Sequence, residues 1–230
     1  MDNIRHIFFD LDNTLWDFDS NSRETLGEVY DQFQLHDKAD ADKTYFIERY
    51  LIHNDHYWDL YRQNRVTKAR LRTARFEKAM EDVGIYNKKL SRHFGQAYIE
   101  QCPHKTKLND DVLEVLEKLS GNYRLHILSN GFHEVQLVKL KVSGLEPFFD
   151  QVVTSELARA KKPSPRIFEY AQKVSGASEG ESLMIGDHLD ADVVGALEFG
   201  WKAIHYNPKA LRHQHQSISR LKDLLPLLSK

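Results

Sequence analysis

A short apolar run that ends in two carboxylates constrains this chain more than any other stretch. Ile7–Phe9 is followed at once by Asp10 and, two residues on, by Asp12. An apolar run of this length is typical of a strand buried on both faces, and such strands belong to parallel sheets covered by helices. Ligands bind these sheets beyond the carboxyl ends of the strands. The two carboxylates are therefore expected where chemistry is placed, although aspartate also caps turns after strands.

The composition is that of an ordinary globular protein. The chain has 230 residues, of which 41% are hydrophobic and 29% charged, which suits one domain with a large insertion or two modest domains. A net charge of −2 gives no basic surface for a nucleic-acid polymer. A single cysteine excludes an internal disulfide, and the cytosol is the simplest compartment. We see no signal-peptide pattern and no apolar run long enough to span a membrane, so we expect a cytoplasmic protein.

Residues 16–105 contain no convincing strand and are expected to form helices joined by short polar breaks. Asn21 or Ser22 could cap the first of these helices, and Pro103 stops the last. The expected helices cover residues 21–34, 41–63, 67–83 and 88–101.

From about residue 108 onward, helices and strands alternate. We expect strands at residues 125–128, 151–154, 183–185 and 202–206. We expect helices at residues 110–119, 133–143, 164–174 and 190–199, and a short one in 218–228. Ser164 and Pro165 suit the start of the third of these. This alternation implies parallel strands with right-handed crossovers, and the first strand must join the same sheet.

The predicted fold class is therefore α/β, with a Rossmann-like parallel sheet core and an inserted all-helical domain. Residues 1–15 and 106–230 would form the core, and residues 16–105 the insert. An insert that begins just after the two carboxylates would cover them as a lid, and lids exclude water and select substrates.

Polar side chains follow three of the expected strands. Acidic groups at neighbouring strand ends would repel one another unless a cation lay between them, and hard oxygen ligands suit Mg²⁺. A Ser-Asn-Gly turn offers a hydroxyl and backbone amides to phosphate oxygens, and a lysine would balance the charge of an incoming anion. These groups are Asp10 with Asp12, the turn Ser129-Asn130-Gly131, Lys162, and Asp187 with Asp190 and Asp192.

In this order, the motifs resemble those of the haloacid dehalogenase-like (HAD) superfamily over essentially the whole chain. The family pattern is Asp-x-Asp-x-Thr, then Ser or Thr, then Lys, then Gly-Asp-x-x-x-x-Asp. The insert between the first two motifs resembles a C1-type helical cap. Three segments are similar to the house-cleaning pyrimidine 5′-nucleotidases, although Arg159-Ala160 stands where that branch usually has a glycine before its lysine-proline pair. The segments are residues 57–61, 67–76 and 128–132.

The resemblance implies a phosphatase with Asp10 as the nucleophile and Asp12 as the general acid and base. It implies Mg²⁺ held by the Asp10 carboxylate, the Asp12 carbonyl and Asp187. Phosphate would be bound by Ser129, Asn130 and Lys162, and Asp192 would lie in an outer shell. Lys161 is expected to be a solvated surface lysine.

The expected partner is a small phosphorylated metabolite, with a nucleoside 5′-monophosphate as first choice and a monomer or weak dimer as the state of the chain. Trp16, Trp58, Tyr61 and Phe132 are candidates to stack a base, although a packing role is favoured for any one of them. The histidines at 205, 213 and 215 are expected at the surface.

Other readings remain open. One is a phosphatase or phosphomutase acting on sugar phosphates or other small phosphometabolites. Another, of a different class, is a phosphorylatable binding module without turnover. A dehalogenase is disfavoured because Asp12 would have no leaving group to protonate.

Overall fold

The structure is a computed structural model that describes residues 3–228, and the chain divides into two compact units. The described residues up to Phe18, together with those from Thr106 onward, form the first unit. Asp19–Lys105 form the second.

The first unit is built on a six-stranded sheet in which every neighbouring pair is parallel. The order across the sheet is β3-β2-β1-β4-β5-β6. The strands are β1 (His6–Phe9), β2 (Arg124–Ser129), β3 (Gln151–Thr154), β4 (Ser182–Gly186), β5 (Lys202–Tyr206) and β6 (Ser217–Ile218). The parallel sheet predicted from the alternating pattern is confirmed. The two-residue β6 is an addition to it.

Helices connect these strands. They are α5 (Val112–Ser120), α6 (His133–Val142), α7 (Ser155–Ala158), α8 (Pro165–Ser175), α9 (Gly195–Glu198) and α10 (Leu224–Leu228). A π-helical turn at Leu189–Val194 precedes α9, where one regular helix over 190–199 was expected. Pro165 is the first residue of α8 as predicted, but the Ser164 side chain makes no capping hydrogen bond.

Strand β1 lies inside the sheet, and all four of its side chains are buried. Three of them are apolar, and the fourth, His6, pairs with His126. Phe9 lies opposite Ile127 of β2 and Ile185 of β4. On the other face Phe8 stacks on Trp201, with 4.4 Å between ring centroids. The centre of the sheet fixes where Asp10 emerges.

The chain leaves and re-enters the first unit at one place. Trp16 pairs with Leu108 in an antiparallel bridge, and the Asp17 amide donates to the Lys107 carbonyl at 3.1 Å. The Asn109 side chain donates to the carbonyls of Asn13 and Thr14. These bonds fix the loop that carries the first motif.

The second unit consists of four helices, as the sequence predicted. α1 begins at Phe18, three residues before Asn21. Asn21 and Ser22, which were expected to cap its start, are instead buried within the helix. The helices are α1 (Phe18–Gln32), α2 (Lys43–Arg62), α3 (Lys68–Glu81) and α4 (Lys88–Gln101). Side chains of Asp42, Thr67 and Asn87 cap the last three. Among residues 3–228, no helix is long and apolar enough to cross a membrane.

A buried histidine pair in the first unit should make its stability depend on pH. His126 of β2 is fully buried, its Nε2 lies 3.0 Å from His6 Nδ1, and burial lowers the pKa of His126 to about 3. The unfolded chain would bind a proton at this group near pH 6.5 and the folded chain would not, so stability should fall as pH falls below that value. The loss amounts to about 2 kcal/mol at pH 5.

Denaturant unfolding at pH 7 and at pH 5 measures this effect. Between the two pH values, we expect the free energy of unfolding of His126→Phe to fall by about 2 kcal/mol less than that of the wild type. His104→Phe, which changes an exposed histidine, is the control and should keep the wild-type dependence. Equal pH dependence in wild type and His126→Phe would contradict the assignment.

Candidate active site

Three adjacent strands bring their polar ends to one edge of the sheet. Asp10 follows β1, Ser129 ends β2 and Asp187 follows β4, and β1 lies between the other two strands. Because all three strands are parallel, their carboxyl ends meet. The structure therefore brings Asp10 together with residues that are more than one hundred positions away in the sequence.

The ammonium group of Lys162 is the centre of this cluster. Its Nζ lies 2.7 Å from Asp10 Oδ1 and 2.7 Å from Asp192 Oδ1, and it donates to the Leu128 carbonyl at 2.5 Å. Three acceptors account for its three protons. Lys162 is 1% exposed, and its pKa is raised because the attraction of Asp10 and Asp192 outweighs the effect of burial. Lys162 is therefore the lysine that contacts Asp10 and Asp192.

The side-chain amide of Asn130 holds the backbone of Lys162 in place. The Asn130 amide donates to the Lys162 carbonyl at 3.0 Å and accepts from the Lys162 N–H at 2.8 Å. The Asn130 carbonyl in turn accepts from the Ser155 hydroxyl at 3.1 Å. The side chain of Asn130 is thus engaged with the lysine loop, which leaves the backbone of its turn as the part that can meet a phosphate oxygen.

Asp192 is oriented by the turn that it closes. It is 1% exposed, and its Oδ2 accepts from the His188 N–H at 3.0 Å. A Cβ atom at Gly186 would lie 2.2 Å from Asp192 Oδ2, so only glycine allows this close approach. Both oxygens of Asp192 are therefore occupied, one by the His188 N–H and the other by the Lys162 ammonium.

Asp187 is fixed by two neighbours. Thr14 Oγ1 donates to its carboxylate at 3.3 Å, and His205 Nε2 lies 2.8 Å from its backbone carbonyl. His205 is 1% exposed and its Nδ1 lies 2.7 Å from His213 Nε2. The expectation that His205 lies at the surface was wrong, because β5 is an inner strand of the sheet and His205 lies opposite Gly186 of β4.

The carboxylates outnumber the cation that faces them. Oxygens of Asp10, Asp187 and Asp192 all lie within 4.8 Å of one another. Burial raises the pKa of Asp10 to about 7, against the opposing attraction of Lys162. Burial also raises the pKa of Asp187 well above its usual range, and the charges of Asp10 and Asp192 add to the effect.

Three carboxylates lie around one lysine in this cluster, so the lysine alone does not balance their charge. A divalent cation bound to oxygen ligands would supply the missing charge, and Mg²⁺ is the ion that such carboxylates suit. The residues present therefore fit a magnesium site, with Asp10 and Asp187 as the carboxylates not fully engaged by other groups.

Asp12 is held separately, by helix α6. Gln136 Nε2 donates to Asp12 Oδ2 at 2.9 Å and to Ser129 Oγ at 2.7 Å, and Lys139 Nζ donates to Asp12 Oδ1. Ser129 Oγ also accepts from the Gly131 N–H at 3.0 Å. With both lone pairs taken, the Ser129 hydroxyl is left with its own proton to donate.

Gln136 and Lys139 were not among the site residues predicted from the sequence. A signal existed in the helical spacing, because both stand with Leu140 on the buried face of α6. Polar side chains on such a face need partners.

The aromatic candidates differ in their surroundings. Trp16 is fully buried, and its ring centroid lies 4.1 Å from Lys139 Nζ, which favours a packing role. Phe132 is 5% exposed and precedes α6. In the helical unit, Trp58 and Tyr61 contact each other edge to face, 5.7 Å apart.

Several known proteins are similar to this chain over most of its length. A family model described as haloacid dehalogenase-like hydrolase matches residues 4–200. The chain is 31% identical to the pyrimidine 5′-nucleotidase YjjG of Escherichia coli, over 97% of each chain. It is 30% identical to the human N-acylneuraminate-9-phosphatase, over 87% of this chain and 81% of that one.

The fold is shared with the HAD-hydrolase YfnB of Bacillus subtilis, in a crystal structure bound to magnesium. The TM-score is 0.89 at 24% identity, over 99% of this chain and 100% of that one. The family match covers most of the sequence, so the chain belongs to the haloacid dehalogenase-like hydrolases.

The excess of buried carboxylates gives a prediction for metal binding. We expect Mg²⁺ to raise the unfolding temperature of the wild type. At a free Mg²⁺ concentration of about 100 times the dissociation constant, the free energy of unfolding should rise by about 2.7 kcal/mol. Asp187→Asn should be at least as stable as the wild type in EDTA, since it removes a charge from the cluster. It should gain little from Mg²⁺.

Thermal unfolding with EDTA and with Mg²⁺ measures both effects. Asp190→Asn, at an exposed position of the same turn, should behave as the wild type. An Asp187→Asn protein that Mg²⁺ stabilises as fully as it stabilises the wild type would exclude this site.

Proposed function

We propose that the chain is a Mg²⁺-dependent phosphomonoester hydrolase that works through an aspartyl-phosphate on Asp10, and that its substrates are pyrimidine nucleoside 5′-monophosphates. The observation that carries the proposal is that the carboxylates of Asp10 and Asp12 contact different residues. Asp10 is paired with Lys162, whereas Asp12 is held by α6 beside the Ser129 hydroxyl. Two carboxylates in different surroundings can take the roles of nucleophile and proton carrier.

In the first step, an Asp10 oxygen attacks phosphorus and the bond from phosphorus to the ester oxygen breaks. Asp12, as the acid, gives its proton to that oxygen, and the alcohol leaves. The Ser129 proton and the Lys162 ammonium bind the phosphoryl oxygens. Lys162 stabilises the negative charge of the transition state.

In the second step, Asp12 removes a proton from water. The water oxygen attacks phosphorus, the bond to Asp10 breaks, and inorganic phosphate is released. Asp12 ends protonated, ready for the next ester. Mg²⁺, held by the carboxylates of Asp10 and Asp187 and by the Asp12 carbonyl, would supply positive charge that lets a carboxylate approach a phosphate dianion.

The proposed substrate class rests on the similarity of the chain to known phosphatases. The side chains described above bind only a phosphoryl group, so they do not select the rest of the substrate. The similarity to YjjG favours a pyrimidine nucleotide. The similarity to N-acylneuraminate-9-phosphatase supports a sugar phosphate as the second candidate.

The test is phosphate release from a panel of phosphomonoesters, namely pyrimidine and purine 5′-monophosphates, sugar phosphates and phosphoglycolate. We expect Mg²⁺-dependent turnover, fastest on the pyrimidine nucleotides. Asp10→Asn should abolish it, with a loss of more than about 10⁴-fold, whereas Asp190→Asn should retain it. A preference for a sugar phosphate would keep the mechanism and replace the substrate.

The same panel distinguishes a phosphatase from a phosphorylatable binding module. If no ester releases phosphate while Asp10 becomes stably phosphorylated, the phosphatase proposal fails in favour of a phosphorylatable binding module. Turnover retained in Asp10→Asn would exclude Asp10 as the nucleophile.

A further inference from the structure

We propose that Gln136 and Lys139, on the buried face of α6, are positioning residues that aim the Asp12 carboxylate at the ester oxygen. This inference rests on the proposed function, since it concerns the proton transfer in that reaction. It assigns a role to two residues that lie outside the four motifs quoted above.

The contacts of Gln136 link the proton carrier to the phosphate site. Gln136 is fully buried, and its amide nitrogen uses both protons, one on Asp12 Oδ2 and one on Ser129 Oγ. The distance from Asp12 to the phosphoryl group that Ser129 would bind is therefore set by one rigid amide.

Gln136 itself has little freedom to move. A Cβ atom at Gly131 would lie 2.1 Å from its amide nitrogen. The turn after β2 is thus packed directly against the amide.

Lys139 fixes the other oxygen of Asp12. Lys139 is 4% exposed, and its ammonium donates to Asp12 Oδ1 while facing the rings of Trp16, at 4.1 Å, and Phe18, at 5.6 Å. A buried ammonium needs a counter-charge, and Asp12 provides it when it is ionised, which is its state before it removes a proton from water. The two aromatic rings attract the same cation from its apolar side.

The spacing of the two residues makes them act together. Gln136 and Lys139 are three positions apart on α6, so both side chains leave the same face of the helix. One grips each oxygen of Asp12. A carboxylate held at both oxygens keeps one orientation, and proton transfer depends strongly on that orientation.

The chemistry of the leaving group gives a test that a general loss of structure would not pass. An alkoxide such as a ribose 5′-oxygen needs a proton as it leaves, whereas p-nitrophenolate is stable without one. If the two residues aim Asp12, their loss should slow the first step for a nucleotide much more than for p-nitrophenyl phosphate. Hydrolysis of the aspartyl-phosphate needs Asp12 for both substrates and should slow equally.

The variants are Gln136→Met, which keeps the side-chain length, and Lys139→Met, which shortens the side chain by one atom. Lys141→Met is the matched control at an exposed lysine of the same helix. Rapid mixing measures the first turnover. We expect nucleoside release from a 5′-monophosphate to fall about 10²-fold in both variants. With p-nitrophenyl phosphate, we expect a burst of about one nitrophenolate per enzyme followed by slow turnover, as covalent catalysis with a slow second step requires.

Asp12→Asn should show the same pattern, and adding Gln136→Met to Asp12→Asn should cause no further loss, because the two changes remove one function. Wild-type nucleoside release in both Met variants, or an equal loss with both substrates, would overturn the inference while leaving the proposed function intact. A wild-type enzyme that releases neither leaving group would overturn the proposed function and this inference together.

Discussion

The ion pairs of Lys162 are the interaction on which the rest of the site depends. One buried ammonium contacts Asp10 after β1, the Leu128 carbonyl in β2 and Asp192 after β4. It therefore ties together three strand ends that the sheet only brings near one another. Taking such a group out of water is costly unless every proton has an acceptor. All three do here.

The sequence predicted the parts of the site that follow from topology. An apolar strand ending in polar residues has few possible places in a parallel sheet, so Asp10, Ser129 and Asp187 could be assigned to one edge from the order of the elements alone. The lysine was assigned through Pro163, and its ammonium contacts Asp10. Order along the chain and strand context predicted the first three residues at one edge, whereas Lys162 was predicted from the resemblance to the family motif.

The sequence did not reveal the groups that hold these residues. Gln136 and Lys139 contact Asp12, which lies more than one hundred positions away in the sequence. Hydrophobic periodicity detects only the apolar members of a buried face. His205 was placed at the surface for a related reason. A histidine near a strand end has no sequence signal for burial, and its partner is the backbone carbonyl of Asp187. The start of α1 was missed because buried polar side chains imitate a cap.

The arrangement also explains why stability and catalysis would be opposed in this unit. Each carboxylate is preoriented by a neighbour, so little reorganisation is needed when charge develops. The cost appears in the resting protein, where burial disfavours the charged forms of Asp10 and Asp187. An apolar replacement would relieve that cost and remove the chemistry with it. A cluster that only a cation can neutralise is thus unfavourable for the fold alone and useful for binding a metal and a phosphate together.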